Sequence, residues 1–139
     1  MDNSISSLSA VSSRPGVGRS LVAGLVSGIL GGFAANLVWL LLGAPAGTEM
    51  APVGVAPIII TTLVLNLVGG LVFYALARWT SRPIRNFVIL GIVFATAYSA
   101  MVLVTPDFAS FAWVLVALHY VAAAVALVAI PRLTGASGR

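Results

Sequence analysis

The sequence predicts an all-α integral membrane protein: a four-helix bundle that crosses the bilayer up-down-up-down, with both termini in the cytoplasm. Of its 139 residues, 60% are hydrophobic and 7% are charged, whereas about 25% of the residues in a soluble domain are charged. Four apolar runs have the roughly 20 residues that a helix needs to cross about 30 Å of hydrocarbon. With four spans, every arginine falls on one side of the membrane, and the chain has no lysine.

The arginines determine the predicted orientation. They precede the first run, separate the second from the third, and follow the fourth: Arg14, Arg19, Arg78, Arg82, Arg85, Arg132 and Arg139. The other two connections carry only the acidic Glu49 and Asp107. Because arginine-rich loops resist translocation, they remain in the cytoplasm. There we expect them to attract anionic lipid headgroups, at about 1 kcal/mol each, so the net charge of +4 does not indicate nucleic-acid binding.

The chain is expected to form one transmembrane domain over residues 21–131. This domain lies between a disordered, serine-rich cytoplasmic tail at 1–20 and a shorter cytoplasmic tail at 132–139. The spans are expected at 21–42, 58–77, 87–104 and 108–130.

The first two spans have recognisable ends. Ser20 is a suitable N-cap for the first span, and Gly43 follows its last turn. Pro57 suits the first turn of the second, where its missing N–H costs nothing. Arginines before an apolar run also occur in signal peptides, but a run of about 22 residues exceeds the 7 to 15 of a signal sequence. We therefore expect an uncleaved span.

The last two spans are bounded in the same way. Asn86 can cap the third span, which reaches about Val104. A tight outer turn follows, in which Asp107 can cap the fourth span. Pro131 is expected to end that helix, because proline lacks the N–H that a helix interior requires.

Small residues recur at helical spacing and predict close helix packing. Gly24, Gly28 and Gly32 lie four residues apart in the first span, and Gly91 and Ala95 repeat that spacing in the third. Lipid tails are as apolar as leucine, so membrane helices associate through close contact of small residues. The row in the first span is long enough for an internal contact and for a second contact with a partner.

Uncharged polar residues are expected inside the hydrocarbon: Asn36, Thr62, Asn66, Thr96, Ser99 and His119. At 1.5 Å per residue, the two asparagines lie about 9 and 12 Å below the outer ends of neighbouring antiparallel spans, which places them at nearly the same depth. His119 is expected to be uncharged and to donate to Asn66, Thr96 or a water molecule. The cluster has two interpretations: interhelical hydrogen bonds of about 0.6 to 2 kcal/mol each, or a ligand or proton site.

Catalytic signatures are scarce. No Asp, Glu, Lys or Arg falls inside a predicted span, and the absence of cysteine excludes disulfides and thiolate metal sites. Haem held by two histidines would need a second histidine. A dyad of Ser99 and His119 would lack both the Gly-x-Ser-x-Gly context and a third, orienting acid. We therefore expect no enzyme, no cofactor and no metal site.

Two short runs resemble a known family. They are Ala34-Ala35-Asn36-Leu37-Val38, leading to Gly43, and His119-Tyr120-Val121-Ala122-Ala123-Ala124, closing at Ile130-Pro131-Arg132. Together with the layout of the spans, they are similar to the bacterial membrane proteins grouped as domain of unknown function 6069, over about Arg19 to Leu133. The resemblance implies a small four-span protein of the bacterial plasma membrane with no established activity.

Two functional hypotheses follow. The first is a non-enzymatic accessory subunit that packs against a larger membrane complex, or against copies of itself, through the glycine row of the first span. The second is a small carrier or permeation protein that uses Asn36, Asn66 and His119 for a neutral or weakly polar solute. A water-accessible cavity that reaches His119 would favour the second, and a dry, tightly filled centre would favour the first.

Overall fold

The computed structural model describes residues 14–43 and 55–136. These ranges contain no strand and form four long helices: α1 (Val17–Val38), α2 (Val55–Trp79), α3 (Pro83–Val104) and α4 (Ala112–Leu133). A π-helical segment, Trp39–Gly43, continues α1, and a 3-10 helix, Pro106–Phe108, precedes α4. All four long helices have the length and apolarity needed to cross a membrane, as predicted. The N-terminal part of the predicted tail, most of the first outer loop with Glu49, and residues 137–139 lie outside the described residues.

The first helix begins earlier than the predicted span, so residues 17–20 belong to it and not to the tail. Gly16 occupies the N-cap position without a side-chain cap, and Ser20 is a buried residue inside the helix. The guanidinium Nε of Arg19 donates to the backbone oxygen of Leu133, at 3.1 Å. This contact with the end of α4 orders the extra turn, which local sequence signals did not predict.

The third helix also begins about one turn before its predicted start. Pro83 occupies the first turn, and the backbone N–H of Asn86 donates to the carbonyl of Arg82, at 3.0 Å. Proline favours this position because its fixed φ suits a helix and its missing N–H would have no partner there. Asn86 is therefore a residue of the first turn and not the cap.

The fourth helix begins later than expected, because Asp107 belongs to the preceding 3-10 helix and does not cap it. The N-cap position is occupied by Phe111, which is 1% exposed and meets the ring of Phe108 edge to face, with centroids 5.7 Å apart. The edge-to-face contact of these two rings is specific to this turn, where no side chain caps the helix. Packing therefore determines where this helix begins.

The same helix continues through Pro131 to Leu133 instead of stopping at the proline. The backbone N–H groups of Ala136 and Gly135 donate to the carbonyls of Pro131 and Arg132, at 3.1 and 3.0 Å. Gly135 has a φ of 72°. This left-handed residue and the two hydrogen bonds form a Schellman motif, which ends the helix.

Two buried clusters mark opposite ends of the helices. Ala23, Phe73, Phe87 and Ile130 pack together at the end where α1 and α3 begin and α2 and α4 finish. The second cluster joins the other ends: Ala35, Ile58, Val102, Phe111, Ala112, Val114, Leu115 and Leu118. Consecutive helices therefore run in opposite directions. The described arginines all lie at or beyond the helix ends near the first cluster, which we call the arginine end.

The helices pack unevenly. α1 makes its closest and most extensive contact with α2 and also packs on α4, whereas α3 rests mainly on α4 and meets α2 much less. A Cβ atom at Gly24 would lie 2.6 Å from the backbone oxygen of Asn66, and one at Gly28 would lie 2.9 Å from the Cα of Leu63. Only glycine permits this approach of two backbones. We call the contact between α1 and α2 the glycine seam.

The other predicted packing positions have different neighbours. At Gly32, a Cβ would make an ordinary contact, 3.5 Å from the Cα of Ile59 on α2. At Gly91, it would lie 2.6 Å from a methyl group of Leu127 on α4, so this glycine faces a side chain and not a backbone. Ala95 is buried one turn farther along α3.

Candidate functional site

A cleft of about 560 Å³ separates α2 from α3 and has α4 at its base. On α2 its lining extends from Pro57 to Val72, a length of about 22 Å at 1.5 Å per residue. Several lining residues are exposed, among them Leu65 and Val68 on α2 and Leu90 and Phe94 on α3. The cleft therefore opens sideways, between the outer surfaces of two helices.

The cleft exists because α3 packs on α4 more extensively than on α2. The two helices meet at the arginine end, where the rings of Phe73 and Phe87 contact edge to face with centroids 5.2 Å apart. Farther from this end, large side chains such as Leu65 and Phe94 line the two walls. The close backbone contact seen at the glycine seam does not recur here.

Three of the predicted polar residues line this cleft: Thr62 and Asn66 on α2, and His119 on α4. Thr61 and Tyr98 also contribute to the lining, and sequence reasoning did not select either of them as a site residue. The remaining lining is overwhelmingly apolar, and no Asp, Glu, Lys or Arg belongs to it. An apolar cleft with a few uncharged polar groups is typical of a small-molecule site.

Asn66 joins the cleft to the glycine seam. Its Oδ1 accepts a hydrogen bond of 2.7 Å from the hydroxyl of Ser27 on α1, and its Nδ2 donates to the backbone oxygen of Thr62 at 2.8 Å. An amide nitrogen carries two hydrogens, so a second donor remains on Nδ2. Sequence reasoning missed Ser27, although its position between Gly24 and Gly28 places it on the same helix face.

His119 has a different hydrogen-bond partner from the expected ones. Its Nδ1 bonds to the backbone oxygen of Leu115, one turn earlier in α4, and not to Asn66 or Thr96. The imidazole packs on the ring of Tyr98 from α3, with centroids 4.5 Å apart. A carbonyl oxygen only accepts, so Nδ1 carries the hydrogen, and in an uncharged ring Nε2 is then an acceptor.

Asn36 does not join Asn66, contrary to the expected pairing. Asn66 packs between Gly24 and Gly28, so about ten residues of α1, or roughly 15 Å, separate its level from that of Asn36. The register of the glycine seam determines this offset. The Nδ2 of Asn36 instead donates to the carbonyl of Gly32, at 2.9 Å, and its buried Oδ1 has no partner within the described residues.

Thr96 and Ser99 also lie outside the cleft lining. Thr96 is exposed, and its hydroxyl is 3.3 Å from the hydroxyl of Tyr120. Ser99 is buried, and its hydroxyl has no hydrogen-bond partner in the described part of the chain. Three of the six residues of the predicted polar cluster therefore line the cleft, and the other three do not.

The cleft has uncharged groups that can form hydrogen bonds, and among the described residues it has no arrangement that indicates catalysis. Among the described residues, no three His, Asp or Glu side chains are grouped so that they could hold a metal ion. The Nδ1 of His119, which would have to be oriented by an acid in a catalytic triad, is bonded to a backbone carbonyl. The available chemistry is hydrogen bonding by uncharged groups within an apolar enclosure.

Comparison with known proteins gave a family but no described relative. A model of a family of unknown function, DUF6069, matches residues 14–136. No curated protein and no solved structure matches the chain.

Proposed function

The chain belongs to DUF6069, and we propose from the geometry that it is a non-enzymatic membrane protein that binds a neutral, largely apolar molecule. The family is one of unknown function, so membership itself supplies no activity. The binding site is the cleft between α2 and α3. The protein lies in the bacterial plasma membrane with both termini in the cytoplasm. This orientation is supported by the arginine end, since arginine-rich segments resist translocation.

The observation that carries this proposal is the lining of the cleft. Its volume of about 560 Å³ falls within the roughly 300 to 1,000 Å³ of small-molecule sites. Thr62, Asn66 and His119 can hydrogen-bond a ligand, while the lack of any charged lining residue disfavours an ion. These features favour a ligand-binding protein over an accessory subunit, although the cleft opens between two helices and suits a more apolar ligand than the solute of the carrier hypothesis.

The accessory-subunit hypothesis depended on a glycine row with room for a partner. Gly24, Gly28 and Gly32 are all buried, and the nearest neighbours of each lie on α2. The row is therefore fully used inside the molecule. Self-association or assembly into a larger complex remains a proposal without an assigned surface.

The proposal can be tested by filling the cleft. Ala123 lines it, whereas the adjacent Ala124 is exposed and does not. In phospholipid nanodiscs, we expect Ala123→Trp to weaken binding of the neutral isoprenoid alcohol farnesol at least tenfold, measured by native mass spectrometry. Ala124→Trp is the matched control and should bind farnesol like the unaltered protein.

Thermal unfolding of both variants separates loss of the site from loss of the fold. If the two tryptophan variants bind farnesol equally, or if the unaltered protein binds no more than an unrelated four-span protein does, the cleft is not a binding site.

A further inference from the structure

We propose that the natural ligand of the cleft is a long-chain alcohol whose hydroxyl donates its hydrogen to Nε2 of His119. This inference rests on the proposed binding function and specifies the class of ligand. It also specifies the route: the alcohol enters sideways from the lipid, between α2 and α3, and not through water at either end.

The hydrogen-bond direction at His119 determines which kind of ligand group it can bind. Its Nδ1 is committed to the backbone oxygen of Leu115, so the uncharged ring presents an acceptor, Nε2, at its far end. No carboxylate lines the cleft, so nothing there stabilises an imidazolium. The complementary ligand group must therefore be a donor.

Asn66 on α2 presents a hydrogen-bond donor on the opposite wall. Asn66 has one Nδ2 hydrogen beyond the one donated to Thr62, and its Oδ1 already accepts from Ser27. A hydroxyl at His119 supplies the hydrogen that Nε2 lacks, and the chain attached to it passes Asn66 on the way to the arginine end. A ketone or an ether only accepts, and either would face the Nε2 lone pair without a hydrogen. A carboxylate or an amine would bring a charge into an apolar cleft.

Contacts with Gly31 of α1 show how α2 and α4 are placed relative to each other. A Cβ atom at Gly31 would lie 3.2 Å from Cγ2 of Thr62 and 3.7 Å from the backbone oxygen of Ala122. Thr62 on α2 is thus within about 7 Å of the Ala122 backbone on α4, and His119 lies one turn from Ala122. Because α2 and α4 run in the same direction, His119 lies beyond this level toward the outer ends and Asn66 lies toward the arginine end, about 10 Å apart along the cleft.

The part of the cleft nearer the arginine end has an apolar lining. From the level of Asn66 toward the arginine end, the lining includes Val68, Val72, Leu90 and Leu127. This stretch suits an extended hydrocarbon chain that continues from the hydroxyl. Because Val68 and Leu90 are also exposed, the chain can enter from the side without any helix opening.

The test uses His119 as a reporter, since the chain has a single histidine. Protein labelled with ¹⁵N-histidine in phosphatidylcholine nanodiscs gives one pair of imidazole resonances. We expect farnesol to shift the Nε2 resonance and farnesyl methyl ether, which has no hydroxyl hydrogen, to leave it unchanged. Native mass spectrometry should show about tenfold weaker binding of the ether, the expected effect of one lost hydrogen bond of about 1.4 kcal/mol.

A variant then connects the preference to the ring nitrogen. His119→Phe keeps an aromatic ring against Tyr98 but removes Nε2, so the alcohol and the ether should bind with equal affinity. Thr96→Val is the matched control, because Thr96 lies outside the cleft, and it should preserve the tenfold preference.

The outcomes separate the two proposals. If the unaltered protein binds alcohol and ether equally and the Nε2 resonance does not move, the alcohol assignment is wrong although the cleft still binds. If neither compound binds better than it does to Ala123→Trp, the proposed function itself is wrong. The spectral comparison requires no variant, so it remains decisive even if His119→Phe does not fold.

Discussion

The two sides of α2 show two different ways of facing a neighbouring helix. On one side, Gly24 and Gly28 of α1 bring two backbones together, and Ser27 hydrogen-bonds to Asn66 across the contact. On the other side, large side chains such as Leu65 and Phe94 line a cleft between α2 and α3. Both sides are apolar, so hydrophobicity alone does not explain why one is closed and the other open.

The difference shows that residue size and polar pairing determine which faces close. Apolar surface gains nothing when it moves from lipid to a neighbouring helix, so association depends on dispersion contacts and interhelical hydrogen bonds. Glycine shortens the distance between backbones and increases the number of such contacts. A face of large side chains can remain open at little cost, and it is then available to a ligand.

The most disruptive change should be a large side chain in the glycine seam. A Cβ at Gly28 would already lie 2.9 Å from the Cα of Leu63, so Gly28→Leu forces the two helices apart. We expect a loss of about 3 kcal/mol or more, measured by unfolding in mixed detergent micelles. Gly18→Leu is the control, because that glycine has open space around it. Equal stability of the two variants would contradict the close backbone contact at the glycine seam.

Two adjacent glycines of α2 offer a sharper comparison, because they face different helices, Gly70 facing α1 and Gly69 facing α4. A Cβ at Gly70 would collide with the backbone oxygen of Ser20, whereas one at Gly69 would make an ordinary 3.4 Å contact with a methyl group of Ile130. We expect Gly70→Ala to cost about 1 to 3 kcal/mol. Gly69→Ala should be neutral or stabilising by about 0.5 kcal/mol, since alanine favours a helix. A reversed order in the same unfolding assay would show that the closed and open sides are wrongly assigned.

The smallest expected effect is the hydrogen bond across the seam. In a double-mutant cycle of Ser27→Ala and Asn66→Leu, we expect a coupling free energy of about 0.6 to 1.7 kcal/mol. The exposed contact between Thr96 and Tyr120 gives a matched cycle on the other half of the molecule. Its coupling should be smaller, because these hydroxyls are 3.3 Å apart, whereas Ser27 and Asn66 form a bond of 2.7 Å. A stronger coupling between Thr96 and Tyr120 than between Ser27 and Asn66 would contradict the claim that the main stabilising polar contact lies at the glycine seam.

Part of the site was predictable from the sequence. Polar residues inside apolar runs, such as Asn66 and His119, are conspicuous, and both line the cleft. Their partners were not predictable, because Leu115 offers a backbone carbonyl and any residue would do the same. Ser27 could have been found, since it lies on the helix face that carries Gly24 and Gly28.

The sequence by itself determined the class of the protein: four apolar helices, a row of glycines for one close contact, and arginines at one end. The tertiary structure alone decided the register that separates Asn36 from Asn66, the helix starts at Val17 and Ala112, and the cleft beside α3. The physical reason is that a side chain facing lipid and one facing another helix are equally apolar. Composition therefore predicts the number of helices, whereas contacts between distant parts of the chain decide which helix faces pack together.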